Sequence, residues 1–87
     1  MATLDVQVVA TDHAVWSGEA KALTGRTVDG DMGILPGHTP VLAVLAEGEM
    51  TIEPVDGSVV KAHINGGFFS VADNRVTVVA DEANITA

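Results

Sequence analysis

GDMGILPGHTP, residues 30–40, is the stretch of this 87-residue chain that says most about its fold. It places three glycines, two prolines and one histidine around the apolar residues Met32, Ile34 and Leu35. Because glycine is costly to order and proline lacks a backbone N–H, this composition is untypical of regular helix or strand. The stretch predicts a loop with a specified backbone path that holds apolar side chains, and residues 32–35 could form a short strand within it. It contains no evident catalytic group.

Short segments of alternating apolar and polar residues surround this loop. In residues 60–64 and 75–80 every second residue is apolar, which is the pattern of a half-buried strand. Turn residues separate such segments at intervals of about 8–12 residues, and Asp56-Gly57 is the strongest hairpin signal among them. The sequence therefore predicts one all-β domain over residues 1–87, a β-sandwich or flattened barrel of about ten antiparallel strands.

Three further local expectations follow from the pattern. In residues 19–28 we expect Leu23 to face away from Ala20 and Ala22, because successive strand residues point to opposite sides. Residues 81–84 could begin a helix, although the sequence stops at Ala87 before one could develop. The aromatic residues occupy strand positions that predict burial. They are Trp16, Phe68 and Phe69.

The chain is strongly acidic, with 12 Asp and Glu against 4 Lys and Arg and a formal net charge of −8. Nucleic acids and anionic membrane surfaces are poor partners, because both are bound through clustered basic residues. The charge fits either a protein partner with a basic patch or a simple need for solubility. The sequence also lacks cysteine, a secretory signal pattern and a run of the ~20 apolar residues that a membrane span needs.

Residues that carry chemistry are scattered in this sequence. Its histidines, His13, His38 and His63, lack the close spacing typical of transition-metal ligands. Asp29 and Asp31 have no third and fourth oxygen ligand at loop spacing for calcium. The glycine-rich loop lacks the Lys-Ser or Lys-Thr of a phosphate loop, and no serine lies in a nucleophile elbow. We expect no catalytic residue and no cofactor, and a binding or structural module is favoured over an enzyme.

Four motifs together resemble the ε subunit of bacterial F-type ATP synthases. Residues 30–40 are similar to its loop Gly-Glu-x-Gly-Ile-x-Pro-Gly-His-x-Pro, with Asp31 in place of the usual Glu. Residues 66–71 (GGFFSV) resemble Gly-Gly-Phe-x-x-Val, and residues 76–81 (VTVVAD) resemble Val-Thr-Val-Leu-Ala-Asp. Trp16-Ser17-Gly18 lies where the family commonly has Phe-Ser-Gly. Their order and spacing agree across essentially the whole chain.

The resemblance implies a ten-stranded β-sandwich and a non-catalytic role in the rotating central stalk. The domain would link the γ subunit to the membrane c-ring and couple proton translocation to ATP synthesis. It would lie at the cytoplasmic face of the cell membrane as a peripheral subunit, associated with the membrane only through the complex. Family members commonly continue into two C-terminal helices, whereas this sequence ends at Ala87. We therefore expect the sandwich without that helical hairpin, and carry over neither inhibition nor nucleotide binding.

The resemblance also assigns two sets of contact residues. Those expected at the c-ring are Asp29, Gly30, Asp31 and Met32. Those expected at the γ subunit are His38, Thr39, Pro40, Val41 and Leu42. We expect Ile34 and Leu35 to fill the core. Core filling is also an alternative role for Met32, and a hydrogen-bonded structural role is an alternative for His38. Around residues 40–42 we expect an exposed apolar patch, because an interface needs apolar area that a monomer leaves uncovered.

Two other classes of protein are weighed against this reading. A small ligand-binding β-sandwich of the carbohydrate-binding kind would present exposed aromatic side chains as stacking platforms. A β-barrel enzyme such as a cupin would require closely grouped histidine and carboxylate ligands, which this sequence lacks.

Overall fold

The computed structural model describes residues 2–86, and within that range every regular element is a β-strand. The nine strands are β1 (Leu4–Ala10), β2 (Ala14–Thr27), β3 (Gly30–Ile34), β4 (Val41–Val44), β5 (Gly48–Pro54), β6 (Val60–Asn65), β7 (Phe68–Ala72), β8 (Arg75–Ala80) and β9 (Glu82–Ile85). This confirms the all-β prediction.

Neighbouring strands are hydrogen-bonded in the order β4-β7-β8-β1-β2-β5-β6-β9. Strand β3 lies outside this order and pairs with the second half of β2, on the same edge of β2 as β1. The sheet is not closed into a barrel, since β4 and β9 end the order. All pairs are antiparallel except β1 with β8, which run parallel. The expectation of a purely antiparallel arrangement is wrong for this one pair. Hairpin neighbours must be antiparallel, whereas β1 and β8 are far apart in sequence and have no such constraint.

The nine strands in residues 2–86 agree with the expected number of about ten, and β2 is the longest of them. Its 14 residues pair with β1 in the first half and with β3 in the second, while β5 lies on the opposite edge. The register against β5 shifts between Ala20 and Ala22. Such a bulge inserts one extra residue and reverses the alternation beyond it. Leu23 is therefore buried together with Ala20, contrary to the expectation that it faces away.

The inward sides of the strands form one aliphatic core. Its buried apolar members are Leu4, Val6, Val8, Ala20, Leu23, Ile34, Leu45, Met50, Ile52, Ala62, Ile64, Phe69, Val71, Val76, Val78, Ala80 and Ala83. Trp16 is half-buried against this core, and Phe69 is fully buried. Phe68 is 45% exposed, so the predicted burial is wrong for it. Adjacent strand residues point to opposite sides, and only one of the two phenylalanines can face inward.

The turns agree with the sequence signals. Asp56-Gly57 lies in the connection between β5 and β6, and Asp73 and Asn74 both have positive φ, of 51° and 62°, between β7 and β8. Gly67 has a φ of 104°, and a Cβ there would lie 2.0 Å from the Val79 carbonyl oxygen, so only glycine fits.

Residues 82–85 form β9 where a helix start was expected. They pair with β6 from Ala62 to Asn65, which satisfies backbone groups that a single helical turn would leave open. Ala87, named in that expectation, lies outside the described residues.

Candidate partner-binding surfaces

Four apolar side chains form a row across the outward side of strands β4, β7, β8 and β1. In strand order β4, β7, β8, β1 they are Val44, Phe68, Val79 and Val9. Val44 is 56% and Phe68 45% exposed, and the other two are half-buried. With neighbouring strands about 4.8 Å apart, the row spans roughly 14 Å. A sheet side facing water normally carries polar residues, so this apolar row is suited to contact with another protein.

The rest of this outer surface carries almost no net charge. A second row, beside the first, consists of Leu42, Ser70, Thr77 and Gln7. Asp5 and Arg75 are the only charged residues in β1, β4, β7 and β8, and they are register neighbours. We call this surface the neutral face, because its two charges cancel in a chain of net charge −8.

The outer surface of β5, β6 and β9 differs from it, and we call it the charged face. Its outward residues are Glu49, Thr51, Glu53, Lys61, His63, Asn65, Glu82 and Asn84. His63 Nε2 also lies 3.3 Å from a carboxylate oxygen of Glu47. This face has the composition of an ordinary solvated surface.

Of the predicted c-ring residues, Asp29 lies in the turn between β2 and β3, and Gly30, Asp31 and Met32 are the first residues of β3. Thr27 is only 4% exposed, and its Oγ1 donates a hydrogen bond to the Gly30 carbonyl oxygen over 2.7 Å. The same hydroxyl accepts a hydrogen bond of 3.1 Å from the Asp29 backbone N–H. Thr27 therefore fixes the turn from beneath and leaves Asp29 and Gly30 exposed at its tip.

Asp31 is paired within the chain, which the sequence reading did not foresee. Arg26 and Asp31 face each other across the hairpin, and Arg26 Nε donates to a carboxylate oxygen of Asp31 over 3.2 Å. The Arg26 side chain passes over Gly48, where a Cβ would lie 3.0 Å from Arg26 Cδ. The surface predicted for the c-ring, which carries Asp29 and Asp31, thus includes a basic residue as well. Asp29 makes no ion pair within residues 2–86.

Met32 is half-buried and packs against the core, and Ile34 is fully buried within it. Leu35 is 62% exposed, so the core role expected for it is wrong, because β3 ends at Ile34 and the chain turns at Leu35. The surroundings of Met32 agree with the core-filling alternative stated for it, so any contribution to a partner contact comes from the part of its side chain that stays exposed. Val28, in the same turn, is 64% exposed, and its N–H donates to the Val44 carbonyl oxygen over 3.0 Å. That bond places the hairpin turn at the apolar end of the neutral face.

The predicted γ-subunit residues begin in a tight turn over residues 35–38. Pro36 and Gly37 occupy its centre, Gly37 has a φ of 89°, and the His38 N–H donates to the Leu35 carbonyl oxygen over 3.1 Å. These are the features of a type II turn, whose third position favours glycine. His38 is half-buried, and its Nδ1 lies 2.7 Å from the Thr39 carbonyl oxygen. A carbonyl only accepts, so Nδ1 carries the proton and Nε2 is left for other contacts.

The rest of this set leads onto the neutral face. Thr39 and Pro40 are exposed, Val41 is half-buried against the core, and Leu42 is 71% exposed. The expected exposed patch is confirmed at Pro40 and Leu42, and it extends further than expected, to Val44 and Phe68. The two predicted sets thus border the same face, with the hairpin turn at its apolar end and the 35–38 turn at its polar end.

A cavity of about 280 Å³ lies where β1 and β8 end, lined by Asp12, His13, Asp81 and Glu82 among others. His13 donates a hydrogen bond to the Asp12 carboxylate and adds its positive charge when protonated, and both effects lower the pKa of Asp12. Within residues 2–86, no three His, Cys, Asp or Glu side chains are grouped so that they could hold a metal ion. We assign no ligand to this cavity.

Sequence reasoning missed the apolar row, Arg26 and Asn74. A signal for the row was present, since the segments VLAV, FFSV and RVTVV carry apolar residues on both sides of a strand. No comparable signal joins Asn74 to the 35–38 turn, because the two are 37 residues apart in sequence.

The model of the β-sandwich domain of the ATP synthase delta/epsilon chain matches residues 3–86 of this sequence. The chain belongs to this family. The resemblance drawn from the four motifs is confirmed. The ATP synthase ε chain is a structural or regulatory subunit and not catalytic itself, as expected. The family assignment also favours this reading over a carbohydrate-binding module or a cupin-like enzyme.

Known ATP synthase ε chains are similar over nearly the whole chain. That of Micrococcus luteus is 49% identical over 85 residues, which cover 98% of this chain and 93% of the relative. That of Streptomyces avermitilis is 48% identical over 84 residues, covering 97% and 68%. Among solved structures, one chain in the OSCP, F1 and c-ring assembly of the Euglena gracilis mitochondrial ATP synthase superposes with a TM-score of 0.90. It is 30% identical, and the match covers 98% of this chain but only 54% of that one.

These relatives belong to a membrane-bound complex. In the part of this chain that the structure describes, no helix has the length and apolar content that crossing a bilayer demands.

Proposed function

We propose that residues 1–87 form the β-sandwich domain of a central-stalk subunit of an F-type ATP synthase. The domain links the γ subunit to the membrane c-ring and so helps couple proton translocation to ATP synthesis. It lies at the cytoplasmic face of the cell membrane, held there only by the complex. The Euglena gracilis assembly that contains the similar chain includes a c-ring, which supports this placement.

The neutral face is the observation that carries the proposal. A chain of net charge −8 keeps one broad surface free of net charge and places Leu42, Val44 and Phe68 outward on it. Apolar residues at the centre of a low-charge patch are typical of protein interfaces, and a few large ones usually supply most of the affinity. We assign this face to the γ subunit, together with His38, Thr39, Pro40, Val41 and Leu42.

The tip of the β2–β3 hairpin, residues 27–32, is assigned to the c-ring, with Asp29, Gly30, Asp31 and Met32 as its contact residues. The family resemblance implies a ring whose polar loops usually carry arginine. Opposite charges at the rim of an interface set its register and association rate more than its affinity. We therefore expect the ring contact to be weaker than the γ contact and more sensitive to salt.

The test is a titration of the chain with purified γ subunit of Micrococcus luteus ATP synthase and, separately, with its detergent-solubilised c-ring. We expect binding to both at low salt, and loss of ring binding before γ binding as salt is raised. Failure to bind the γ subunit at low salt, or failure to bind the c-ring, would refute the proposal.

Single substitutions separate the two surfaces. Asp29→Asn is expected to weaken ring binding and leave γ binding unchanged. Conversely, His38→Ala is expected to weaken γ binding and leave ring binding unchanged. A melting temperature that stays constant in both variants shows that the fold is intact. If His38→Ala instead lowers the melting temperature and leaves γ affinity unchanged, His38 has the structural role.

A further inference from the structure

Few hydrogen bonds join the turn of residues 35–38 to the rest of the molecule. Its internal hydrogen bond joins His38 N–H to the Leu35 carbonyl oxygen. Within residues 2–86, one hydrogen bond joins residues 35–40 to another part of the chain, from the Gly37 N–H to Asn74 Oδ1 over 2.7 Å. The direction in which this turn presents His38 therefore depends on Asn74.

Asn74 is itself fixed from two sides. It has a φ of 62° in the β7–β8 turn, a conformation that asparagine tolerates better than most residues. Its backbone carbonyl oxygen accepts a 2.8 Å hydrogen bond from the Asp5 N–H at the start of β1. The side chain thus projects from a backbone that is anchored to two strands of the neutral face. The Asn74 side chain is therefore a well-positioned support for the 35–38 turn.

We propose that Asn74 is a positioning residue for γ-subunit binding, acting through the amide oxygen that holds Gly37 and thereby orients His38. This inference rests on the proposed function, because it takes the γ subunit as the partner of His38. Asn74 need not touch the partner. Its role is to reduce the conformations that the turn must give up on binding, which raises affinity by preorganisation.

The test compares three variants whose backbones all accept positive φ. Asn74→Gly removes the amide oxygen and keeps the turn geometry. Asn74→Asp keeps an oxygen acceptor at the same place. Asp73→Gly is the matched control, because Asp73 has a φ of 51° in the same turn and makes no hydrogen bond to residues 35–40.

The first readout needs no partner. Hydrogen exchange of the Gly37 amide, followed by NMR, is expected to be slow in the parent chain, Asn74→Asp and Asp73→Gly, and fast in Asn74→Gly. The second readout is affinity for Micrococcus luteus γ subunit. We expect a loss of about two- to tenfold for Asn74→Gly alone, which is the range for one net hydrogen bond.

A double variant decides whether Asn74 acts through His38. In the His38→Ala background, Asn74→Gly is expected to cause no further loss of γ affinity. An equal loss in both backgrounds overturns the proposal, as does unchanged γ affinity in Asn74→Gly when Gly37 exchange has become fast. If the parent chain does not bind the γ subunit, the proposed function is refuted instead. Slow exchange of the Gly37 amide in that chain would still confirm its hydrogen bond to Asn74.

Discussion

The two outer surfaces of the sandwich cover the same core and yet have opposite character. On the neutral face, apolar residues such as Val44 and Phe68 point outward, and Asp5 and Arg75 are the only charges in four strands. On the charged face, the outward positions carry residues such as Glu49, Lys61 and His63. A protein that needed only to be soluble would carry charged and polar residues on both outer surfaces.

The difference separates two demands on one small domain. Net charge keeps it in solution, and most of that charge lies away from the neutral face. A partner that binds the neutral face contacts apolar side chains, and few charges have to be desolvated. Desolvation of a charge is costly when the charge remains unpaired. The same division predicts which substitutions affect folding and which affect binding.

The largest expected effect distinguishes the core from the neutral face at two adjacent residues. Phe69 is fully buried, so Phe69→Ala is expected to lower the free energy of unfolding by about 3–5 kcal/mol. Phe68 is 45% exposed, and Phe68→Ala is expected to cost about 1 kcal/mol or less. Urea unfolding of the two variants measures both values. Equal costs would mean that Phe68 belongs to the core and that the apolar row serves folding.

The next effect is on binding, and it compares the two faces directly. Phe68→Glu places a charge in the apolar row and is expected to weaken γ binding at least tenfold, which is about 1.4 kcal/mol. Asn65→Glu is the matched control, since Asn65 is exposed on the charged face at the end of β6, only three residues before Phe68. It should leave γ affinity unchanged. A similar loss in both variants would point to general repulsion by added charge.

The contrast between the faces could be predicted only in part from the sequence. Alternation correctly placed Val60, Ala62 and Ile64 on one side of a strand, because a period of two follows directly from strand geometry. It was wrong beyond the bulge near Ala20, where pairing with β5 and not local sequence decides which side Leu23 takes. The resemblance identified Asp31 and His38 as contact residues. It could not identify the residues that hold them in place, Arg26 and Asn74, because those contacts depend on strand register and tertiary structure.

The third prediction concerns the turn at the edge of the neutral face. Thr27→Val keeps the shape and burial of the side chain but removes the hydroxyl that bonds Asp29 and Gly30. We expect a loss of about 0.5–1.5 kcal/mol in the free energy of unfolding and a looser turn with weaker ring binding. Thr24→Val, on the exposed side of the same strand, is the control and should change neither quantity. If both variants lose ring binding equally, the hydroxyl of Thr27 does not organise the turn.

The smallest expected effect tests whether Arg26 competes with the ring for Asp31. Their ion pair is exposed, with 56% and 67% of the two side chains accessible, so Arg26→Gln is expected to change stability by about 0.2–1 kcal/mol at most. Because Asp31 then loses its partner in the chain, it becomes available to a basic ring loop, and ring affinity should rise a few-fold at low salt. High salt should remove that gain, since exposed charges are screened within about 10 Å at 0.1 M. Asp31→Asn in the same background should abolish the gain at any salt. A fall in ring affinity in Arg26→Gln would show the reverse, that Arg26 itself contacts the ring and that the turn presents a cation beside its acids.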